Sequence, residues 1–200
     1  MRKLLALALI AISALYYFGL LAGAATYPGY SHITNYASEL GAADAPYPLL
    51  FNLSIILAGA SAIIGALTLP AAFKDLGARR AWAVAAAVAL ALWGASMIMG
   101  GLFPMPDERH GAFGLGLVAP LIPLFVLLAL GSVKAAGAMR LFLGLVFAGS
   151  VVMLAIMFGV GELVTQANVG LYQRLNSGIS ILWFALFGLW LLTRGRKAAR

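Results

Sequence analysis

Six long apolar stretches divide this chain, and each is long enough to cross a hydrocarbon core, which takes roughly 20 helical residues. They lie at about 4–25, 47–73, 81–103, 111–132, 138–161 and 171–193. No water-soluble architecture accommodates six such runs in 200 residues: with 64% hydrophobic and 10% charged residues, too little charge remains to cover the outside. In a bilayer the same composition is self-consistent, because lipid is the solvent. The sequence therefore predicts an all-α fold, a six-transmembrane-helix bundle forming one integral membrane domain over 1–200. The first stretch follows Arg2 and Lys3 as a signal peptide would. Its apolar run exceeds the roughly 7–15 residues of an h-region, so it is read as helix 1.

Charge orients the bundle. The termini and the connections between helices 2–3 and 4–5 carry Arg2, Lys3, Lys74, Arg79, Arg80, Lys134, Arg140, Arg194, Arg196, Lys197 and Arg200, which is eleven of the thirteen basic residues. Only Arg109 and Arg174 lie on the other face. Five of the six acids, Glu39, Asp44, Asp107, Glu108 and Glu162, lie there with them. This segregation predicts both termini on the cytoplasmic side of a cytoplasmic (inner) membrane. It also removes the nucleic-acid reading that a net charge of +7 invites, since the basic residues sit in short connections rather than one patch. The basic tail after Leu192 reads as a topology anchor. With no cysteine, disulfides and thiolate chemistry are excluded. Gly94, Gly100, Gly101, Gly144 and Gly149 read as sites of close helix packing, and Pro120 and Pro123 should kink helix 4.

Chemistry concentrates on the outer face, in three segments. Thr26–Pro46 is the longest connection. Within it Ser31–Gly41 reads as a short amphipathic helix, with Ser31 as N-cap and Gly41 just past its end. At about 100° per residue, His32, Asn35 and Glu39 share a stripe beside an apolar one of Ile33, Tyr36 and Leu40. His32 and Glu39 are an acid–base pair by residue type, because imidazole titrates near neutrality and a carboxylate can accept or return a proton. In the second segment Asp107 is placed to cap helix 4 and to orient His110 three residues later. His32, His110 and one carboxylate would also suffice for a three-ligand Zn²⁺ site, although no His-x-x-x-His pair enforces it, and no cofactor is expected. In the third, Arg174 either snorkels to headgroups or turns inward toward a carboxylate or an anionic ligand. Asn176 and Ser180 share a face, with Ser177 nearby, and Asn52 and Ser54 of helix 2 are candidates for the same polar stripe.

The expected site thus comprises His32, Glu39, Asp107 and His110 as catalytic groups, with Arg174, Asn176, Asn52 and Asn35 binding a substrate. Its expected ligand is a membrane lipid or small amphiphile reached from the outer leaflet. The alternatives are a non-enzymatic scaffold or partner subunit, and a transporter. Transport is disfavoured by the scarcity of ionisable residues in the inner halves of the helices.

Tyr27-Pro-Gly-Tyr-Ser-His-Ile-Thr-Asn-Tyr-Ala-Ser-Glu-Leu-Gly41, followed by Pro48, Phe51-Asn52, Phe103-Pro104, Asp107 and His110, resembles an uncharacterised prokaryotic multi-pass membrane family, domain of unknown function 998. That resemblance implies a multi-pass membrane protein and supplies no reaction. The Ser-acid-Gly…Pro…Phe pattern after helix 1 is also similar to Frag1/DRAM-type membrane proteins, a group with members implicated in lipid remodelling and autophagy.

Overall fold

A computed structural model describes residues 1–197, with side chains through Thr193. The end of the basic tail, read above as a topology anchor, lies outside the described residues. The described residues form helices joined by short turns and connections, and contain six segments long and apolar enough to cross a membrane. Five are continuous α-helices: α1 (Arg2–Ala25), α2 (Pro48–Lys74), α3 (Arg80–Leu102), α5 (Gly137–Met157) and α6 (Val169–Lys197). The fourth segment is broken, and only α4 (Leu121–Ala129) within it is α-helical.

The helix ends follow local chemistry. Pro48 opens α2 at a position where its missing N–H costs no hydrogen bond. α3 stops at Leu102, just ahead of Phe103, whose helical conformation Pro104 disfavours. α5 ends at Met157 rather than near 161, because Gly159 takes a left-handed conformation (φ 96°) that closes the helix.

Successive helices pack as neighbours, and α6 returns against α1 to close the ring. Contact relies on small residues. A β-carbon at Gly59 would lie 2.6 Å from the Gly94 carbonyl oxygen, and one at Gly188 would lie 2.6 Å from that of Ala6. The α2–α3 and α6–α1 pairs therefore touch backbone to backbone, as expected where lipid offers no hydrophobic drive for association. Ser13 Oγ donates to the Ile181 carbonyl at 2.7 Å and adds a buried polar tie between α1 and α6. Burial is inverted relative to a soluble protein: Ala58, Ala62 and Ala86 are wholly buried, whereas Leu49 and Leu67 are 77% and 78% exposed. Such a leucine-covered exterior fits lipid and not water. The heaviest packing is aromatic, with Trp93 against Phe184, Phe184 stacked on Trp183, and Phe73 edge-on to Phe187.

Two segments differ from the sequence expectation. The fourth span is not a kinked helix over 111–132. Glu108–Val118 forms 3₁₀ turns interrupted by left-handed Ala112, Phe113 and Gly114, and α4 begins only after Pro120. Left-handed geometry costs about 1–2 kcal/mol for a residue with a β-carbon; Ala112 is buried there, whereas Phe113 is 83% exposed. Pro123 falls in the first turn of α4, where a missing N–H is tolerated and no kink is needed. In the 26–46 connection the short helix is present but covers only Ala37–Gly41, as a 3₁₀ helix. Ser31 does not cap it. Its hydroxyl instead accepts from the amides of Ile33 and Thr34, forming a separate turn.

Both the 26–46 connection and the 103–120 region lie at one end of the bundle, termed here the loop end. The 75–79 and 130–136 connections and the N-terminus lie at the opposite, basic end.

Candidate functional site: a capped polar cavity at the loop end

The 26–46 connection folds over the bundle as a cap and is fastened to the start of α6. The Leu171 amide donates to the Ile33 carbonyl at 2.9 Å, satisfying a first-turn N–H that has no partner within its own helix. Gly170 permits this approach, since a β-carbon there would sit 2.5 Å from the Asn35 oxygen and 2.8 Å from those of His32 and Ile33. Gln173 Oε1 accepts from the Ala37 amide at 2.6 Å and from Arg174 Nη1 at 2.9 Å. Arg174 also donates to the Asn35 carbonyl at 3.0 Å and to the Tyr30 hydroxyl. The guanidinium thus meets neutral oxygens, and among the described residues no carboxylate lies within ion-pair distance of it.

The cap is also braced internally. Glu39 accepts from Asn35 Nδ2 and from the Tyr36 amide, both at 2.6 Å, so its two carboxylate oxygens hold the turn that precedes the 3₁₀ helix. Asn52, buried on α2, donates to the Gly41 carbonyl at 2.8 Å and pegs the far end of that helix. Burial pushes the Tyr30 hydroxyl up to about 12, although adjacent Arg174 pulls the other way. Burial, then Arg174, holds the His32 imidazole below its ordinary value. His32 is nevertheless exposed on the cap, edge-on to the Tyr30 ring.

Beneath the cap lies a cavity of about 320 Å³ to which all six spans contribute. Tyr16, Phe51, Ile55, Trp93, Met97, Leu154 and Ile181 supply its apolar surface. Ser38, Ser96, Ser150, Gln173, Asn176, Ser177, Ser180 and His110 supply polar groups, and no carboxylate, lysine or arginine is present in the lining. Three hydroxyls bond back to their own helices: Ser96 to Trp93, Ser177 to Arg174 and Ser180 to Asn176. The Asn176 amide and the Ser150 hydroxyl have no protein partner among the described residues. Such groups facing a cavity are open to a ligand or to water.

His110 enters this lining from the unwound part of the fourth span. Its Nδ1 lies 2.9 Å from the Phe103 carbonyl oxygen. A carbonyl only accepts, so Nδ1 carries the proton and Nε2 of the neutral ring is left with a free lone pair. Asp107 does not orient this ring. Its carboxylate pairs with Arg109 (Nη2 at 2.7 Å, Nε at 2.9 Å) and caps the turn through the Arg109 amide at 2.8 Å. Those hydrogen bonds from Arg109 hold the Asp107 carboxyl down at about 2.

Of the eight candidates from the sequence, His110 and Asn176 line the cavity. Asn35, Glu39 and Arg174 hold the cap, Asn52 pegs it, His32 faces outward, and Asp107 pairs beside it. Among the described residues no three His, Asp or Glu side chains gather closely enough to hold a metal ion. The sequence reading missed Tyr16, Ser38, Ser96, Ser150 and Gln173. Ser96 and Ser150 are lone hydroxyls within apolar helices, which is the only signal that singles them out.

The comparison with protein families bears on this arrangement directly. The family described as "Protein of unknown function (DUF998)" matches residues 10–190, from within α1 to near the end of α6. The chain belongs to this family. The match thus encloses the cap, the unwound fourth span and every residue lining the cavity. A search of the curated proteins finds no match, and neither does a search of the solved structures.

Proposed function

We propose that this multi-pass membrane protein binds the uncharged polar part of a lipid or small amphiphile in the capped cavity. The supporting observation is the fourth span. Non-helical backbone at membrane depth persists where it is buried or lines a cavity, and Glu108–Val118 contributes His110 and Gly116 to this one. The lining determines the ligand chemistry. Hydroxyls, two amides and an imidazole recognise hydroxyl, ester or amide groups. A charged headgroup would enter without a counter-ion and at large desolvation cost. At about 320 Å³ the cavity is at the lower end of the roughly 300–1,000 Å³ typical of ligand sites, so it holds a headgroup or small amphiphile rather than a whole two-chain lipid.

In this reading Asn176 is the principal anchor and Ser150 a second one, while His110 Nε2 is the base available if the bound group is processed. Glu39, Asn35, Asn52 and Arg174 act through the cap, keeping the cavity roofed. Charge segregation supports placing both termini in the cytoplasm of a prokaryote, with the cavity near the outer leaflet of its cytoplasmic membrane.

The test is binding of monoacylglycerol, diacylglycerol and phosphatidylglycerol to purified protein by native mass spectrometry. A neutral lipid should be retained by the wild type, and about ten-fold more weakly by Asn176→Leu, the loss of one or two hydrogen bonds. Equal retention by both proteins would contradict the assignment.

A further inference from the structure

At the basic end, far from the cavity, two arginines converge on one glycine. Arg79 stands between α2 and α3, and Arg140 in the first turn of α5. The guanidinium carbon of Arg79 lies 3.4 Å from where a Gly131 β-carbon would be. Arg140 Nη1 donates to the Gly131 carbonyl at 3.3 Å. The connections carrying them are locked together: the Arg79 amide donates to the Ala129 carbonyl at 2.9 Å, and Ser132 Oγ donates to the Gly77 carbonyl at 2.7 Å. Two like charges are therefore held beside one residue by the backbone around them.

Among the described residues no carboxylate pairs with either charge. Among the described residues the ion pair within 4 Å is Asp107 with Arg109, at the opposite end. Arg79 makes no side-chain hydrogen bond there, and Arg140 Nε is buried without a partner. Each guanidinium has five N–H donors in a planar fork, so most of their combined donors are unused. Unpaired like charges held together repel, and an anion shared between them removes the repulsion and fills the donors at once. Paired guanidiniums with open forks match the tetrahedral oxygens of a phosphate better than a single carboxylate. Arg79 directly precedes α3 and Arg140 lies in the first turn of α5, so both sit at span ends, which is where lipid headgroups reside, and Lys134 on the connection before α5 adds further positive charge.

We propose that Arg79 and Arg140, spaced by Gly131, form a phosphate site that takes the headgroup phosphate of an anionic lipid in the leaflet at the basic end. This site is independent of the cavity and of its ligand. Arg79→Gln is the cleanest probe, because its exposed side chain makes no hydrogen bond to the described residues. Arg140→Lys keeps the charge but removes the fork.

The measurement is retention of dioleoylphosphatidic acid, dioleoylphosphatidylglycerol and dioleoylglycerol by detergent-solubilised full-length protein, using native mass spectrometry, with inorganic phosphate as competitor. Arg109→Gln, at the other end, serves as control. Because the cavity itself is expected to retain dioleoylglycerol, the comparison is made in an Asn176→Leu background. There the site predicts that the two phosphate-bearing lipids are retained at least about ten-fold more strongly than dioleoylglycerol, with or without Arg109→Gln. Arg79→Gln should lose most of that preference, and Arg140→Lys part of it. Displacement of the lipid by millimolar inorganic phosphate would support the site with free phosphate as its occupant. Resistance to such displacement would support the lipid headgroup. If Arg79→Gln and Arg140→Lys retain the phosphate-bearing lipids as wild type does, or if phosphate confers no preference, the site is overturned.

Discussion

Replacing Gly170 with alanine puts one methyl group where the cap meets α6. The new β-carbon would lie 2.5 Å from the Asn35 oxygen and 2.8 Å from those of His32 and Ile33. All three are backbone atoms of one braced turn, so none can rotate away and the cap must lift as a unit. Overpacking of this kind costs about 1–3 kcal/mol. Losing the hydrogen bond from the Leu171 amide to Ile33 adds about 0.5–1.5 kcal/mol. The entropy advantage of alanine over glycine returns about 0.4–1 kcal/mol, leaving a net loss of roughly 0.5–4 kcal/mol. Gly178 on the same helix is the control, because a β-carbon there meets nothing within 4 Å and alanine should stabilise by about 0.4–1 kcal/mol. At about 2–4 °C per kcal/mol, unfolding of the two variants in detergent should differ by roughly 2–20 °C. The sequence has no cysteine, so a Ser38→Cys reporter on the cavity side of the cap can be labelled selectively. Gly170→Ala should speed that labelling and Gly178→Ala should not. Equal midpoints and equal labelling rates would refute the docked cap.

Arg174→Ala should destabilise by about 1.5–3 kcal/mol in the same assay, since hydrogen bonds from a charged donor to Asn35, Gln173 and Tyr30 are lost together. Arg174→Lys should recover only part of this, because an ammonium cannot span the three acceptors. The Asp107 carboxyl, held at about 2 against an ordinary 3.8, contributes fully above pH 3.8, and its contribution is lost as pH falls through about 2. An NMR titration of Asp107 should therefore find its midpoint near 2 in the wild type and higher in Arg109→Gln, which keeps the amide bond from residue 109 but loses the guanidinium. A fluorescent protein fused after Arg200 should mature and fluoresce, whereas a periplasm-dependent reporter there should stay inactive, if the termini are cytoplasmic.

The spans were legible because lipid selects on an average over some twenty residues, which is robust to any single substitution. Ends shifted where one residue decides the outcome, as Gly159 does for α5. The fourth span was harder. Gly111, Gly114, Gly116, Pro120 and Pro123 announce a weak helix, but where it unwinds depends on the helices packed around it. Arg174 was readable as a residue needing an acceptor. Its acceptors, however, are a backbone carbonyl, an amide side chain and a phenol on the folded cap, and sequence-based pairing of a cation looks for a carboxylate. The position of Glu39 was hidden for a related reason: a capping carboxylate and a catalytic one are the same residue type, and its 2.6 Å bonds to Asn35 and Tyr36 are visible only in the fold. Ser96 and Ser150 gain meaning only when α3 and α5 turn them toward the same space.

Photo-crosslinking with a diacylglycerol that carries a diazirine beside its glycerol group tests the cavity most directly, with the labelled peptides located by mass spectrometry. The account predicts labels concentrated on α5 around Ser150–Leu154 and on α6 around Gln173–Ile181, competed by unlabelled diacylglycerol and reduced in Asn176→Leu. Labels confined to the lipid-facing leucines of the exterior, unchanged in Asn176→Leu, would contradict it.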